Sequence, residues 1–257
     1  MRICIKVGTS TLAHPSGHLN IRQVESLCKV LSDLKNAGHQ IILVSSGAIG
    51  MGVGKLGLGT RPADMPTKQA AAAVGQCELM YIYDKLFSEF NHTVAQILLT
   101  GEDLENAQRR ENFCNTIFRL LELGVLPIIN ENDTVVTDEI GFGDNDTLAA
   151  IVAVHAQAEL LVLLSDIDGL YTADPHKNPS AELIAVVPEL TEAHFALAGE
   201  KGSELATGGM TTKLRAAEIA TGSGCDMIIT NGTHPQSLYD ILEGAPVGTR
   251  FLGKEAL

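Results

Sequence analysis

The chain has 257 residues, enough for one large α/β domain or two small ones. Hydrophobic residues make up 45% and charged residues 19%, which excludes an intrinsically disordered chain. A formal net charge of −13 argues against a nucleic-acid partner, because a phosphate backbone needs a basic face. A few placed cations can still bind a small anion against that background.

The five cysteines, Cys4, Cys28, Cys77, Cys114 and Cys225, are odd in number and form no C-x-x-C pair. Most sit in apolar runs, as buried free thiols in a reducing compartment do. The eight histidines lack zinc-ligand spacing. The first residues do not resemble a signal peptide, because the apolar run is short and Lys6 interrupts it. No apolar stretch is long enough to span a bilayer. A cytoplasmic protein with no membrane partner is expected.

In chain order, short β-branched runs predict buried strands at 3–7, 40–45, 93–98, 125–129, 160–164 and 227–230, with a last strand near 249–252. Helical patterns lie between them. The first covers 21–36, with Asn20 as N-cap and a stop at Gly38. The others cover 67–87, 108–123, 144–156 and 211–220. Strands alternating with helices predict an α/β fold: a three-layer sandwich around a mostly parallel sheet. Ligands of such sheets bind at the carboxyl ends of the strands.

The strand ends are therefore the places to search. After the first comes KVGTST, where Lys6, Gly8 and three hydroxyls fit a turn that faces a phosphate. The same residues also fit an ordinary glycine turn with a surface lysine. After the second comes SSGAIGMGVGKLG. Gly52, Gly54 and Gly57 match G-x-G-x-x-G, but inside a helix and without the acidic residue that motif requires. Gly54-Lys55 lacks the rest of a P-loop. What remains is Ser46-Gly47 at the mouth of a glycine-rich helix, a place for a carboxylate or phosphate on free amides.

The next strand runs into INENDTVVTDEIGFGDND, which holds six carboxylates between Asn130 and Asp146 and no Lys or Arg. Residues 135–142 could form a hairpin, and Asp144 or Asn145 could cap the following helix. Capping does not account for Asp133, Asn145 and Asp146 together with Asn130. After the strand at 160–164 comes SDIDGLYTADP, which reads as two turns. A long loop then leads to ATGGMTTKLRAAE, where Gly208-Gly209 precede a helix with Lys213 about one turn in. This is a second candidate phosphate cradle with its own lysine.

KVGTS, VSSGAIGMG, KQAAAAVGQ, INENDTV, GDNDTLAA, LLSDIDGLYTADP and TGGMTTK follow one another over nearly the whole chain. In that order they resemble the amino acid kinase family, in particular the members that phosphorylate the side-chain carboxylate of L-glutamate. That resemblance implies ATP as phosphoryl donor, Mg²⁺ carried on its phosphates, and the opening step of proline biosynthesis. It implies that Lys6 and Lys213 stabilise the phosphoryl group in flight and that Asp146 orients both lysines. Ser46, Gly47, Asp133 and Asn145 would hold glutamate, the acid taking its α-ammonium and the hydroxyl, amide and backbone donors its carboxylates. Gly8, Ser165, Asp166 and the run Thr207, Gly208, Gly209, Met210, Thr211, Thr212 and Lys213 would line the nucleotide site with Lys6. Ser165 stands where relatives are expected to have Thr, and Ala206 where they often have Gly. Many members carry a C-terminal PUA domain; a single kinase domain over 1–257 without one is expected here. Proline as feedback inhibitor and a homo-oligomer are further expectations from the resemblance. The alternatives are a kinase of N-acetylglutamate, aspartate or UMP, or a non-catalytic ligand-binding regulator on the same fold.

Overall fold

The computed structural model describes residues 1–14, 18–136, 144–175, 177–198 and 209–254. The elements run β1 (Arg2–Val7), α1 (Thr9–Leu12), α2 (Ile21–Asn36), β2 (Gln40–Val44), α3 (Ala48–Leu56), α4 (Met65–Ser88), β3 (Val94–Leu99), α5 (Gly101–Glu105), α6 (Ala107–Glu122) and β4 (Leu126–Glu131). They continue with α7 (Asn145–His155), β5 (Leu160–Ser165), β6 (Val186–Val187), α8 (Glu192–Leu197), α9 (Met210–Gly222), β7 (Asp226–Asn231), α10 (Ser237–Leu242) and β8 (Thr249–Phe251). The hairpin expected over 135–142 falls mostly outside the described residues, as do Thr207 and Gly208. Among the described residues, no helix is long and apolar enough to cross a membrane.

The strands form one sheet in the order β3-β4-β2-β1-β5-β7-β8-β6. Every pairing is parallel except β7 with β8. The inner strands are buried along nearly their whole length because both faces are covered. Alternation sorts their side chains into two cores. Cys4, Ile42, Val44, Leu161 and Leu163 pack under α6, α7 and α9. Ile3, Ile5, Leu43, Val162 and Leu164 pack under α2, α4 and α10. The result is the expected three-layer sandwich. The chain leaves β1 to build one wing through β2, β4 and β3, then returns to the other side of β1 with β5. The strand order reverses at β1, so the crevice at its carboxyl end is where a ligand should sit.

Local chemistry fixes several helix starts. Asn20 caps α2 through Gln23 N, and Asp64 caps α4 through Thr67 N. Thr100 and Asp103 form a capping box on α5. The segment after β1, read as a turn, closes instead into the single-turn helix α1.

The packing of α3 on α4 is unusually close. A Cβ on Gly52 would overlap the Ala71 carbonyl, and one on Gly75 would overlap the Ala48 carbonyl. Each helix thus seats its backbone on the other, so these glycines serve close packing rather than ligand binding. A substitution there cannot be absorbed by a flexible side chain. Gly75→Ala is expected to lower the unfolding free energy in urea by about 1–3 kcal/mol. Gly222→Ala, at a helical position with nothing near the added Cβ, is the control and is expected to be neutral or mildly stabilising. Equal effects would contradict the close-packing account.

Candidate active site

Lys6 lies on the same face of β1 as Cys4, two residues earlier, which is the face covered by α7 and α9. Cys4 Sγ lies 3.8 Å from Ala149 O, so α7 crosses directly over β1. The contact surfaces of α7 and α9 are rich in alanine, including Ala149, Ala153, Ala216 and Ala217, all fully buried. Small side chains let the two helices come close, and their amino-terminal turns meet above Lys6. There Asp146 Oδ1 lies 2.5 Å from Lys6 Nζ, and Asp146 Oδ2 lies 3.1 Å from Lys213 Nζ. Thr212 Oγ1 adds a contact to Oδ2 at 3.3 Å. Asp146 is fully buried, and the lysines are only 9% and 5% exposed.

Burial alone would raise the Asp146 carboxyl above its ordinary pKa. The charges of Lys6 and Lys213 outweigh that and hold it below. Asp146 is therefore ionised and a weak base. Two ammonium groups thus converge at the head of the crevice, where an anionic ligand can meet both.

A pocket of about 910 Å³ opens at these strand ends. Lys6, Gly8, Ser46, Gly47, Asp133, Asn145, Ser165, Asp166 and Lys213 all line it. The sequence-predicted residues from five separate segments thus converge on one crevice. Gly47 enters α3 with φ 97°, a left-handed conformation that favours glycine, and so aims the first amides of α3 at the pocket. Asp144 supplies the N-cap of α7, accepting from Asp146 N at 2.8 Å and Thr147 N at 2.9 Å. Of the two cap candidates, Asp144 takes that role and leaves the Asn145 side chain for the pocket. Burial raises the Asp144 carboxyl, and the Asp146 charge adds to that. Burial also raises Asp133, while Arg61 draws it back down.

On the other side of β1, Ser165 Oγ donates to Asp166 Oδ1 at 3.0 Å at the end of β5. Gly209 is the N-cap of α9, with Met210, Thr211 and Thr212 in its first turn. At Gly8 a Cβ would meet protein atoms no nearer than 3.7 Å, so nothing in the protein itself demands glycine there. The backbone at Gly8 is open toward the pocket, as close approach of a phosphate would require. Among the described residues, no group of three or more His, Cys, Asp or Glu is arranged to hold a metal ion.

Sequence reasoning missed Arg61, which lines the pocket from the loop before α4, and Gln76, which lies behind it. Arg61 carries no local signal. Gln76 lies in KQAAAAVGQ, which contributes to the family resemblance but whose residues by themselves read as good helix formers.

The family model described as the amino acid kinase family matches residues 1–231. Glutamate 5-kinase of Clostridium perfringens is 51% identical over 258 residues, covering 99% of this chain and 96% of the relative. Glutamate 5-kinase of Clostridium acetobutylicum is 54% identical over 253 residues, covering 98% of this chain and 95% of the relative. Among solved structures, the T. acidophilum isopentenyl phosphate kinase product complex matches with a TM-score of 0.68 at 19% identity, over 98% of this chain and 100% of that one. Carbamate kinase from Giardia lamblia bound to AMP-PNP matches with a TM-score of 0.68 at 18% identity, over 98% of each chain. At such identities the structural likeness speaks for the fold, while the family model and the two half-identical relatives speak for descent: the chain belongs to the amino acid kinase family.

Proposed function

We propose that the chain transfers the γ-phosphoryl group of ATP to the side-chain carboxylate of L-glutamate, giving L-glutamyl 5-phosphate, the first step of proline biosynthesis. The observation that carries this reading is the buried Lys6–Asp146–Lys213 cluster at the head of a pocket that also holds Asp133. Relatives about half identical along nearly the whole chain bear the name glutamate 5-kinase, and the Giardia neighbour holds an ATP analogue. The same reading carries a cytoplasmic location, a homo-oligomeric state and inhibition by proline.

The chemistry suits the site. The acceptor carboxylate is already an anion, so no general base is needed. The barrier is charge repulsion and alignment. Lys6 and Lys213 place two positive charges where negative charge spreads over the transferring group. Asp146, held ionised, fixes both amines and takes no proton. The Ser46 hydroxyl and the first amides of α3 receive a substrate carboxylate, and Asp133 receives the ammonium. Asp133 also disfavours a phosphate acceptor such as UMP. Gly8, Ser165, Asp166 and the start of α9 frame the nucleotide.

For Mg²⁺, the pocket offers the hard oxygens of Asp144 and Asp166, the kind of donor that supplements phosphate ligands. A bound Mg²⁺ would neutralise phosphate charge.

The acyl phosphate can be trapped with hydroxylamine as the γ-hydroxamate. ATP-dependent hydroxamate formation from L-glutamate is expected. No product from glutamate, with turnover of N-acetylglutamate, aspartate or UMP, would sink the reading. Lys213→Met is expected to lower kcat by about 10²–10³-fold while the glutamate KM changes little. A loss of binding with kcat intact would instead fit a ligand-binding regulator. Asp133→Asn is expected to raise the glutamate KM by about tenfold. Because burial raises the Asp133 carboxyl, the acid limb of kcat/KM for glutamate is expected at a pH above the ordinary aspartate value of about 4.

A further inference from the structure

A chain of side-chain amides runs from α4 to the substrate side of the pocket. Gln76, 8% exposed, accepts through Oε1 from Asn130 Nδ2 at 2.9 Å. Asn130 Oδ1 accepts from Asn145 Nδ2 at 3.0 Å. Asn145 Nδ2 also reaches Ser45 O and Ser46 Oγ, each at 2.8 Å.

Amide oxygens and nitrogens are nearly alike in shape, so the direction of such a chain must come from its surroundings. Two backbone groups set it here. The Ser45 carbonyl can only accept, so Asn145 must turn its NH₂ toward it. The Glu131 N–H can only donate, and it lies 2.9 Å from Asn130 Oδ1, so Asn130 must present its carbonyl there. Both anchors impose the same direction. Asn130 is then left with its NH₂ for Gln76, which must answer with Oε1.

The direction has a consequence at each end. At the inner end, Gln76 Nε2 is buried with no hydrogen-bond partner among the described residues, an energetically costly position that the orientation forces. At the outer end, Asn145 Nδ2 has two hydrogens and three acceptors. It has no donor left for a ligand, and Oδ1 is its remaining polar atom in the pocket. Ser46 Oγ receives the Asn145 N–H, which leaves its own hydroxyl hydrogen free to donate. The site therefore offers one acceptor from Asn145 and one donor from Ser46, side by side.

We infer that Asn145 serves the substrate as an acceptor, joining Asp133 on the ammonium group, and that Gln76 is a positioning residue: its Oε1 holds the Asn130 amide, and through it Asn145, in place without touching substrate. The inference rests on the glutamate reading and deepens it. It reverses the role expected for Asn145, which was that of a carboxylate donor. It also supplies a basis for selecting a free amino group, since an N-acylated or deaminated acid cannot donate to both acceptors.

The test compares Gln76→Met, Gln76→Asn and Gln76→Glu with the unsubstituted enzyme. The readouts are kcat, KM for glutamate and ATP, and the inhibition constant of glutarate, which lacks the amino group. Gln76→Met removes the acceptor and Gln76→Asn withdraws it by one methylene, so either variant that folds decides. Both are expected to raise the glutamate KM by about tenfold, with kcat, the ATP KM and the glutarate constant within about twofold. Gln76→Glu keeps an acceptor oxygen and is expected to restore the glutamate KM to within about threefold. Equal weakening of glutamate and glutarate, a fall in kcat with KM unmoved, or no effect would overturn the inference. Absence of hydroxamate from glutamate in the unsubstituted enzyme would overturn the glutamate reading itself, whatever the variants do.

Discussion

One fully buried carboxylate, Asp146, holds two nearly buried ammonium groups that come from opposite ends of the chain. Much of the architecture serves that contact. The two-residue period of β1 sends Lys6 to the face where α7 and α9 lie. Alanine surfaces let those helices close on each other and on the strand. Removing three charges from water is expensive, and the pairing repays it only with good geometry. The arrangement is better understood as preparation for chemistry than as a source of stability. Both amines are held in place before an anion arrives.

The substrate half of the pocket is built by a different device. Here α3 and α4 meet backbone to backbone through Gly52 and Gly75, and Gln76, next to Gly75, reaches Asn130. Helix packing, amide direction and pocket polarity are thus linked along a few adjacent residues. The nearby Ser45 hydroxyl joins the buried Tyr83 OH at 2.9 Å, which further ties the end of β2 to α4. A ligand here meets groups already oriented, so little ordering is left for the moment of binding.

Much of the fold is legible from the sequence because its signals are local. Apolar runs place the six main strands within one or two residues of their observed ends. The Asn20 cap and Gly38 set the bounds of α2 because both act within a turn of the backbone. The short elements α1, α5, α8, α10 and β6 are not legible, since pieces this brief are set by tertiary contacts. The meeting of Lys6 with Lys213 cannot be inferred from spacing, as 206 residues lie between them in the chain; the resemblance supplies it. Family likeness implies a donor role for Asn145, and nothing in the sequence signals the opposite polarity. That depends on Ser45 O and Glu131 N, backbone atoms whose positions only folding defines.

The central claim is that Asp146 works by holding two amines and not by taking a proton. Asp146→Asn keeps the shape, removes the charge and leaves the ammonium groups facing each other. With folding checked by circular dichroism and glutamate binding by calorimetry, kcat is expected to fall by about 10²-fold or more while glutamate still binds. A folded Asp146→Asn enzyme that turns over within a few-fold of the unsubstituted protein would contradict the account.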